Sequence, residues 1–318
     1  STQAKTLFPY TTLFRSYSGL LLGTIGAGLS IAIANVLLPT IVRIQFPNRV
    51  ALVTGSYTTL LAISASLAAA VAVPSIAILG GWNPALAIWI LPAVIAILLW
   101  LPQIRGQAAH VAQPAHAAAE EKAAVMRSPI SWAIVGFFGI QSLGFYALLG
   151  WMPSALTSIG VTAQDAGNYL GFASAIGIPS GLIISSLLGK FESLSWWAAG
   201  TSAMTLIGNI VFTMVLQTRD TSSLILGCIL IGLGMSATFP ISLSLISSRA
   251  ATSAQTTQLS AMAQGWGYLL AAVGSFMVGF IANLVGSYAL SFVIITTLTL
   301  IQAGIGFYAG RPGVITAK

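Results

Sequence analysis

Nine long apolar segments, none with a charged residue near its middle, set the strongest limit on how this chain can fold. Each is close to the roughly 20 residues that a helix needs to cross the hydrocarbon core of a bilayer. One charge at the centre of such a helix costs about 2.5–3.5 kcal/mol on membrane-insertion scales. We therefore predict an all-α integral membrane protein. The segments are Tyr17–Val42, Ala51–Ile78, Pro84–Leu101, Pro129–Pro153, Ala166–Leu188, Leu194–Leu216, Ser222–Ile246, Gln258–Leu284 and Ser287–Ala309.

The composition agrees with lipid as the solvent. Charged residues make up 5% of the chain and hydrophobic residues 57%, whereas soluble domains carry about 25% charge. The formal net charge is +7, but the basic residues stand singly between apolar segments, which argues against a nucleic-acid partner. The single cysteine, Cys228, lies in an apolar segment and has no second cysteine with which to form a disulfide within the chain.

The distribution of lysine and arginine predicts the orientation in the membrane. When residues 1–16 are left out and the loops after Tyr17 are assigned alternately to the two sides, Arg219 is the single basic residue on one side. Cytoplasmic loops are enriched in lysine and arginine, so we predict a multi-pass protein of the cell inner membrane with a cytoplasmic C-terminus. The other side receives Arg43, Arg49, Arg105, Lys122, Arg127, Lys190, Arg249, Arg311 and Lys318.

Part of the sequence occurs twice, at a constant shift. Gly26-Ala-Gly-Leu-Ser30 corresponds to Gly232-Leu-Gly-Met-Ser236, and Arg43 corresponds to Arg249, both at a distance of 249 − 43 = 206 residues. The paired arginines carry weight because charge is rare in this chain. A parallel repeat of this length is typical of transporters that consist of two similar halves.

The repeat predicts how the chain is organised. Segments one and two recur as segments seven and eight, so segments four to six should have counterparts upstream, about 90 residues forming three helices. We therefore expect nine of twelve transmembrane helices (helices 4–12), and we expect this chain by itself not to transport. The predicted parts are a partial first half at 17–101, an inter-half linker at 102–128, a second half at 129–310 and a cytoplasmic tail at 311–318. Residues 1–16 resemble translated sequencing-adaptor read-through, and the alternative is a native loop.

Several motifs lie within the apolar segments: Ala34-Asn-Val-Leu-Leu-Pro39, Gly139-Ile-Gln-Ser-Leu-Gly-Phe-Tyr146, Gly150-Trp-Met-Pro153, Gly232 to Arg249, and Gln258-Leu-Ser-Ala-Met-Ala-Gln-Gly-Trp-Gly-Tyr268. The six-plus-six organisation resembles the major facilitator superfamily, and the motifs resemble its cyanate/2-nitroimidazole permease-like branch. This resemblance implies a helical bundle in which helices four, seven, ten and eleven surround or adjoin a cavity. It also implies transport of a small anion or a small polar heterocycle by alternating access.

Polar side chains inside the apolar segments are the candidates for solute binding, because polar groups at membrane depth face protein or water. In the eighth segment Ser260, Gln264, Tyr268 and Ser275 fall on one helix face, within about 80°. The alternative role is hydrogen bonding between helices, and for Trp151 an anchor at the membrane surface. The predicted substrate-binding residues are Asn35, Tyr57, Gln141, Ser142, Tyr146, Trp151, Gln264 and Tyr268.

These features favour a secondary active transporter of a small solute, a monomer in the bilayer. The alternatives are a drug or metabolite efflux carrier of the same superfamily, a non-transporting membrane receptor, or a membrane enzyme. An enzyme needs a reactive group of side chains, and the apolar segments contain none. We predict no cofactor and no metal site.

Proton coupling is a further prediction, since proton carriers in membranes are usually Asp, Glu or His at membrane depth. We expect all five acids of this chain to lie in loops. The carrier is then upstream, or the solute moves without one, bringing its own proton or following its gradient as an anion. If the proton carrier is not in the upstream helices, Asp165 is the next candidate for that role. The acids are Glu120, Glu121, Asp165, Glu192 and Asp220.

Overall fold

The computed structural model describes residues 17–104 and 115–315, and these residues form helices joined by short turns. The predicted tail at 1–16, part of the linker at 105–114 and the last three residues lie outside the described residues. The helices are α1 (Tyr17–Gln45), α2 (Val50–Leu79), α3 (Trp82–Ala87), α4 (Ile90–Ile104), α5 (Ala115–Arg127), α6 (Pro129–Ser158), α7 (Ala163–Leu187), α8 (Ser195–Thr218), α9 (Leu224–Ser248), α10 (Ser253–Val285) and α11 (Ala289–Ala309).

The apolar segments predicted from the sequence coincide with helices. In the described part of the chain, eight helical stretches are long and apolar enough to cross a membrane. Helices suit lipid because they satisfy their own backbone hydrogen bonds. The third predicted segment differs, since it is divided at Ile88–Trp89 into α3 and α4.

Local signals set several helix ends. Pro129 is the first residue of α6, where its missing N–H costs no hydrogen bond. Thr162 and Thr252 cap α7 and α10, each accepting a bond from a backbone N–H three residues on. Gly286 ends α10 at φ +71°, in the left-handed region that glycine adopts without strain.

The chain divides into two compact units. The first falls within Ser1–Ala34 and Leu67–Pro114, and the side chains of its described helix α4 are largely exposed. The second contains Asn35–Ser66 and Ala115–Lys318. In the second unit α6 packs against α10 and α11, while α9 packs against α7 and α8.

The second unit has two buried apolar layers. One lies around Leu148, Met152 and Phe292, and the other around Phe137, Ile241 and Leu259. Polar pairs hold the helices between these layers. For example, Asn209 Nδ2 donates to Thr299 Oγ1 at 3.1 Å, linking α8 to α11.

The repeat has a structural counterpart with unequal surroundings. Gly232 and Gly234 of α9 lie directly against other helices, so a Cβ on Gly232 would overlap the Ala173 carbonyl oxygen. The corresponding Gly26 and Gly28 of α1 have no atom of the described residues within 4 Å of a Cβ position. The copy of the pattern at Gly232 and Gly234 therefore packs tightly against α7 and α8.

Candidate functional site

A row of polar side chains on α10 meets α1. Gln264 is 2% exposed, and its Nε2 donates to the Asn35 carbonyl oxygen at 2.7 Å and to Ser260 Oγ at 2.8 Å. Ser260 Oγ donates to the Val36 carbonyl oxygen at 3.1 Å. Asn35 Nδ2 donates to the Tyr268 hydroxyl at 3.3 Å. Asn35 thus forms hydrogen bonds with both Gln264 and Tyr268, and all three are predicted site residues.

Aromatic rings surround this polar group. The Tyr268 ring lies edge-on to Phe138, with ring centroids 5.3 Å apart, and 6.3 Å from the ring of Tyr146. Tyr57 packs against the same apolar layer as Tyr268. Tyr146 remains 45% exposed. We call Asn35, Tyr57, Tyr146, Gln264 and Tyr268 the polar-aromatic cluster.

Gln141 and Ser142 lie elsewhere, enclosed by protein. Gln141 Nε2 donates to the Met235 carbonyl oxygen at 2.9 Å, and Gln141 Oε1 accepts from Gln302 Nε2 at 3.2 Å. These bonds join α6 to α9 and α11. Ser142 is also buried, and its Oγ has no hydrogen-bond partner among the described residues. The contacts of Gln141 fit hydrogen bonding between helices, which was the alternative role for the predicted polar residues.

Trp151 lies near the far end of α6 and is partly buried. Its Nε1 donates to the Ser275 carbonyl oxygen at 2.8 Å, and its ring lies 6.0 Å from that of Tyr288. Trp151 therefore contacts α10 directly, at a different level from the polar-aromatic cluster. Ser275 lies on the predicted polar face of α10. Its backbone carbonyl binds Trp151, and Ser275 is not part of the polar-aromatic cluster.

Three residues that the sequence analysis did not select as site residues extend the contacts of α1, two of them between α1 and α10 and the third to the end of α9 and the loop that follows it. Thr40 Oγ1 and Thr257 Oγ1 are 2.8 Å apart. Arg43 Nη1 donates to the Ser247 carbonyl oxygen at 2.5 Å, and Arg43 Nη2 donates to that of Ala251 at 2.9 Å. The sequence contained a signal for this contact. Val36, Thr40 and Arg43 are spaced by three or four residues, so they share one face of α1.

The described acids lie away from the cluster. The prediction that all acids are in loops was wrong for three of them: Asp165 is in the first turn of α7, and Glu120 and Glu121 are within α5. Glu121 accepts a hydrogen bond from Thr252 at 2.8 Å. Asp220 is in a loop, where hydrogen bonds from the backbone and side chain of Ser222 lower the pKa of its carboxyl. In the part of the chain that the structure describes, no group of three or more His, Cys, Asp or Glu side chains could hold a metal ion.

An apolar helical bundle that encloses a polar and aromatic group is typical of membrane transport proteins. The sequence model of the Major Facilitator Superfamily matches residues 6–275, and the chain belongs to that superfamily. It is a multi-pass membrane protein of a transporter family. The predicted resemblance to the superfamily is thereby confirmed.

Three curated relatives indicate which branch of the superfamily the chain resembles. The chain is 34% identical to the 2-nitroimidazole transporter of Escherichia coli K12 over 290 residues, covering 91% of this chain and 72% of the relative. It is 30% identical to the uncharacterized transporter YycB of Bacillus subtilis 168, covering 92% and 72%. It is 25% identical to the cyanate transport protein CynX of Escherichia coli K12, covering 89% and 70%. These relatives agree with the cyanate/2-nitroimidazole permease-like branch.

Proposed function

We propose that this protein is a secondary active transporter of a small polar solute, which it moves by alternating access. The observation that carries the proposal is the polar-aromatic cluster, where Asn35 accepts a hydrogen bond from the Gln264 amide through its backbone carbonyl and donates one to the Tyr268 hydroxyl through its side chain, beside aromatic rings. Buried polar groups at membrane depth are expensive and usually functional. The names of the relatives support a small solute.

The chemistry of the cluster favours a small polar heterocycle. Amide and hydroxyl groups offer both donors and acceptors, and the rings of Tyr146 and Tyr268 offer apolar faces to a planar ring. The cluster itself is neutral. A small anion, the other solute class implied by the relatives, would need a cationic group in addition to these five side chains.

The orientation and the energy source are parts of the same proposal. The excess of lysine and arginine on one side supports a cytoplasmic C-terminus in the inner membrane. The cluster contains no acid or histidine, so proton coupling would use a group outside it. The solute site within the proposal comprises Asn35, Tyr57, Tyr146, Gln264 and Tyr268, while Gln141, Ser142 and Trp151 serve packing.

A pair of glutamine variants tests the proposed site. Gln264→Ala should raise the KM for uptake about threefold to tenfold, because a hydrogen bond worth about 0.5–1.5 kcal/mol is lost. Gln141→Ala should lower the yield of folded protein and leave KM unchanged. Uptake of labelled 2-nitroimidazole and cyanate is measured in vesicles that contain the protein expressed from its complete gene.

The matched pair separates solute binding from helix packing, since both glutamines are 2% exposed and lie in membrane helices. An unchanged KM in Gln264→Ala, at full yield, would count against the cluster as the site. Uptake of neither solute by the parent protein, and of no other small polar heterocycle, would count against the proposed function.

A further inference from the structure

An exposed arginine lies among aromatic rings where α8 begins and α11 ends. The guanidinium carbon of Arg311 is 5.7 Å from the ring centroid of Phe307 and 5.5 Å from that of Tyr308. The Trp196 ring lies edge-on to Phe307, with ring centroids 5.0 Å apart. We call Trp196, Phe307, Tyr308 and Arg311 the aromatic-basic patch. It combines one cation with three rings on the surface of the second unit.

A close joint at Gly310 holds the two parts of this patch together. The Gly310 carbonyl oxygen accepts a hydrogen bond from the Leu194 N–H at 2.9 Å. A Cβ on Gly310 would overlap backbone atoms of Leu194 and Ser195, so the absence of a side chain lets α8 begin this close to the end of α11. Trp196 and Arg311 each adjoin the joint in sequence. Their relative positions are therefore set by the fold before any ligand binds.

The length of α11 places the patch at the level of the lipid headgroups. This helix has 21 residues, about 31 Å at 1.5 Å per residue, and the hydrocarbon core of a bilayer is about 30 Å thick. Its last residue is Ala309, so Arg311 follows directly after the hydrocarbon region. Tryptophan and tyrosine are enriched at this boundary. The Arg311 guanidinium therefore lies at the depth of lipid phosphate groups.

The Arg311 side chain is available to an anion. Arg311 is exposed, and within the described residues its side chain has neither a hydrogen-bond partner nor a carboxylate partner. A guanidinium has five N–H donors and binds a phosphate through two parallel hydrogen bonds. Cation–π attraction to the rings orients the group. Trp196 is 78% exposed and offers an apolar surface beside it.

We propose that the aromatic-basic patch binds one anionic phospholipid, with its phosphate on Arg311 and the upper part of an acyl chain against Trp196. The inference goes beyond the proposed function and does not depend on the solute. Charge complementarity selects the lipid, because a zwitterionic headgroup brings a second cation close to the guanidinium. The bound lipid connects the end of α11 to the start of α8 and so stabilises this joint.

Native mass spectrometry of the protein expressed from its complete gene tests the site. Arg311→Gln should bind phosphatidylglycerol about tenfold more weakly than the parent, because charge-assisted hydrogen bonds to the phosphate are lost. Arg49→Gln removes the same charge from an exposed position on the side of the membrane predicted to hold Arg311, and it should bind like the parent. The parent should bind phosphatidylcholine about tenfold more weakly than phosphatidylglycerol.

The contribution of the ring separates a built site from diffuse attraction of charges. Trp196→Ala should weaken phosphatidylglycerol binding about threefold, because apolar contact with the acyl chain is lost, while Trp196→Phe should keep most of the binding. Neither variant changes the charge of the protein. Diffuse attraction to a basic surface therefore predicts no change in either.

A thermal shift measures the same site without mass spectrometry. Phosphatidylglycerol added to delipidated protein in detergent should raise the Tm of the parent and of Arg49→Gln by about 3–6 °C, since a ligand of the folded state stabilises it. The Tm of Arg311→Gln should rise by less than about 1 °C. Inorganic phosphate carries the same anionic group without acyl chains, and it should leave the Tm of all three proteins unchanged.

Several results would overturn the lipid site. These are equal phosphatidylglycerol binding by the parent and Arg311→Gln, and equal losses in Arg311→Gln and Arg49→Gln. An equal thermal shift from inorganic phosphate would assign the patch to a free anion. A dimer that requires Arg311 and carries no lipid would assign it to a second copy of the chain. If Arg311→Gln is not recovered as folded protein, the two Trp196 variants and the comparison of the two lipids on the parent decide the proposal.

Discussion

Replacement of Gly177 by leucine should leave almost no folded protein in the membrane. Gly177 of α7 faces α9, and a single Cβ there would already overlap Ser236 Oγ and the Gly232 carbonyl oxygen. Overpacking a close contact costs about 1–3 kcal/mol and more where backbone must move. Since 1.4 kcal/mol is a factor of ten in an equilibrium, we expect the yield of monodisperse protein in detergent to fall about tenfold or more.

Gly171→Leu is the matched control on the same helix. Gly171 is exposed, and no atom of the described residues lies within 4 Å of a Cβ at this position. The control variant should therefore be recovered at nearly the parent yield, measured by size-exclusion chromatography of equal membrane amounts. Equal recovery of the two leucine variants would contradict the close approach of α7 and α9.

Arg249→Gln should lower the thermal stability of the protein, which is the second large effect that we expect. Arg249 Nη2 and Nε donate to the carbonyl oxygens of Gly310 and Ala309 at the end of α11, and burial lowers the pKa of the Arg249 guanidinium. Glutamine is shorter and neutral, so these carbonyl oxygens lose a charged donor. Hydrogen bonds to charged groups contribute about 1.5–3 kcal/mol, and about 1 kcal/mol shifts the Tm of a domain of this size by about 2–4 °C. We expect a fall in Tm of about 5–10 °C.

The control for Arg249 removes the same charge from an exposed position. Arg219 ends α8 and is exposed to solvent, so Arg219→Gln should shift stability by less than about 0.5 kcal/mol. Tryptophan fluorescence during heating in detergent measures both variants, because the chain contains 8 tryptophans. Equal Tm values for Arg249→Gln and the parent would show that the α9–α11 contact does not depend on this side chain.

The helices could be predicted from the sequence because lipid leaves few choices. A long segment without charge has to satisfy its backbone within itself, so apolar length alone predicts Tyr17–Val42 and the segments that follow it. The division of the third segment could not be predicted. Residues on both sides of Ile88–Trp89 are apolar, and the turn depends on bonds such as that from the Trp89 N–H to the Leu86 carbonyl oxygen, at 3.2 Å.

The site could be predicted only in part. The spacing of Ser260, Gln264 and Tyr268 places them on one face of a helix, and the structure shows that face against α1. Gln141 has the same chemistry and an equally apolar surrounding sequence, yet its amide bonds to Met235 and Gln302. Helix periodicity says which side chains share a face, but not which neighbouring helix that face will meet.

The sequence by itself determined that lipid surrounds the helices and where the helices lie, because charge and apolar length are properties of single segments. It also determined that Arg43 corresponds to Arg249, because the two are related by the constant shift of the repeat. The tertiary structure decided what those residues do. Arg249 was placed against the end of α11 and Arg43 against the end of α9, and Gln264, but not Gln141, was placed beside Asn35. These outcomes depend on which helices become neighbours, since a polar side chain in lipid takes the partner that packing brings within about 3 Å.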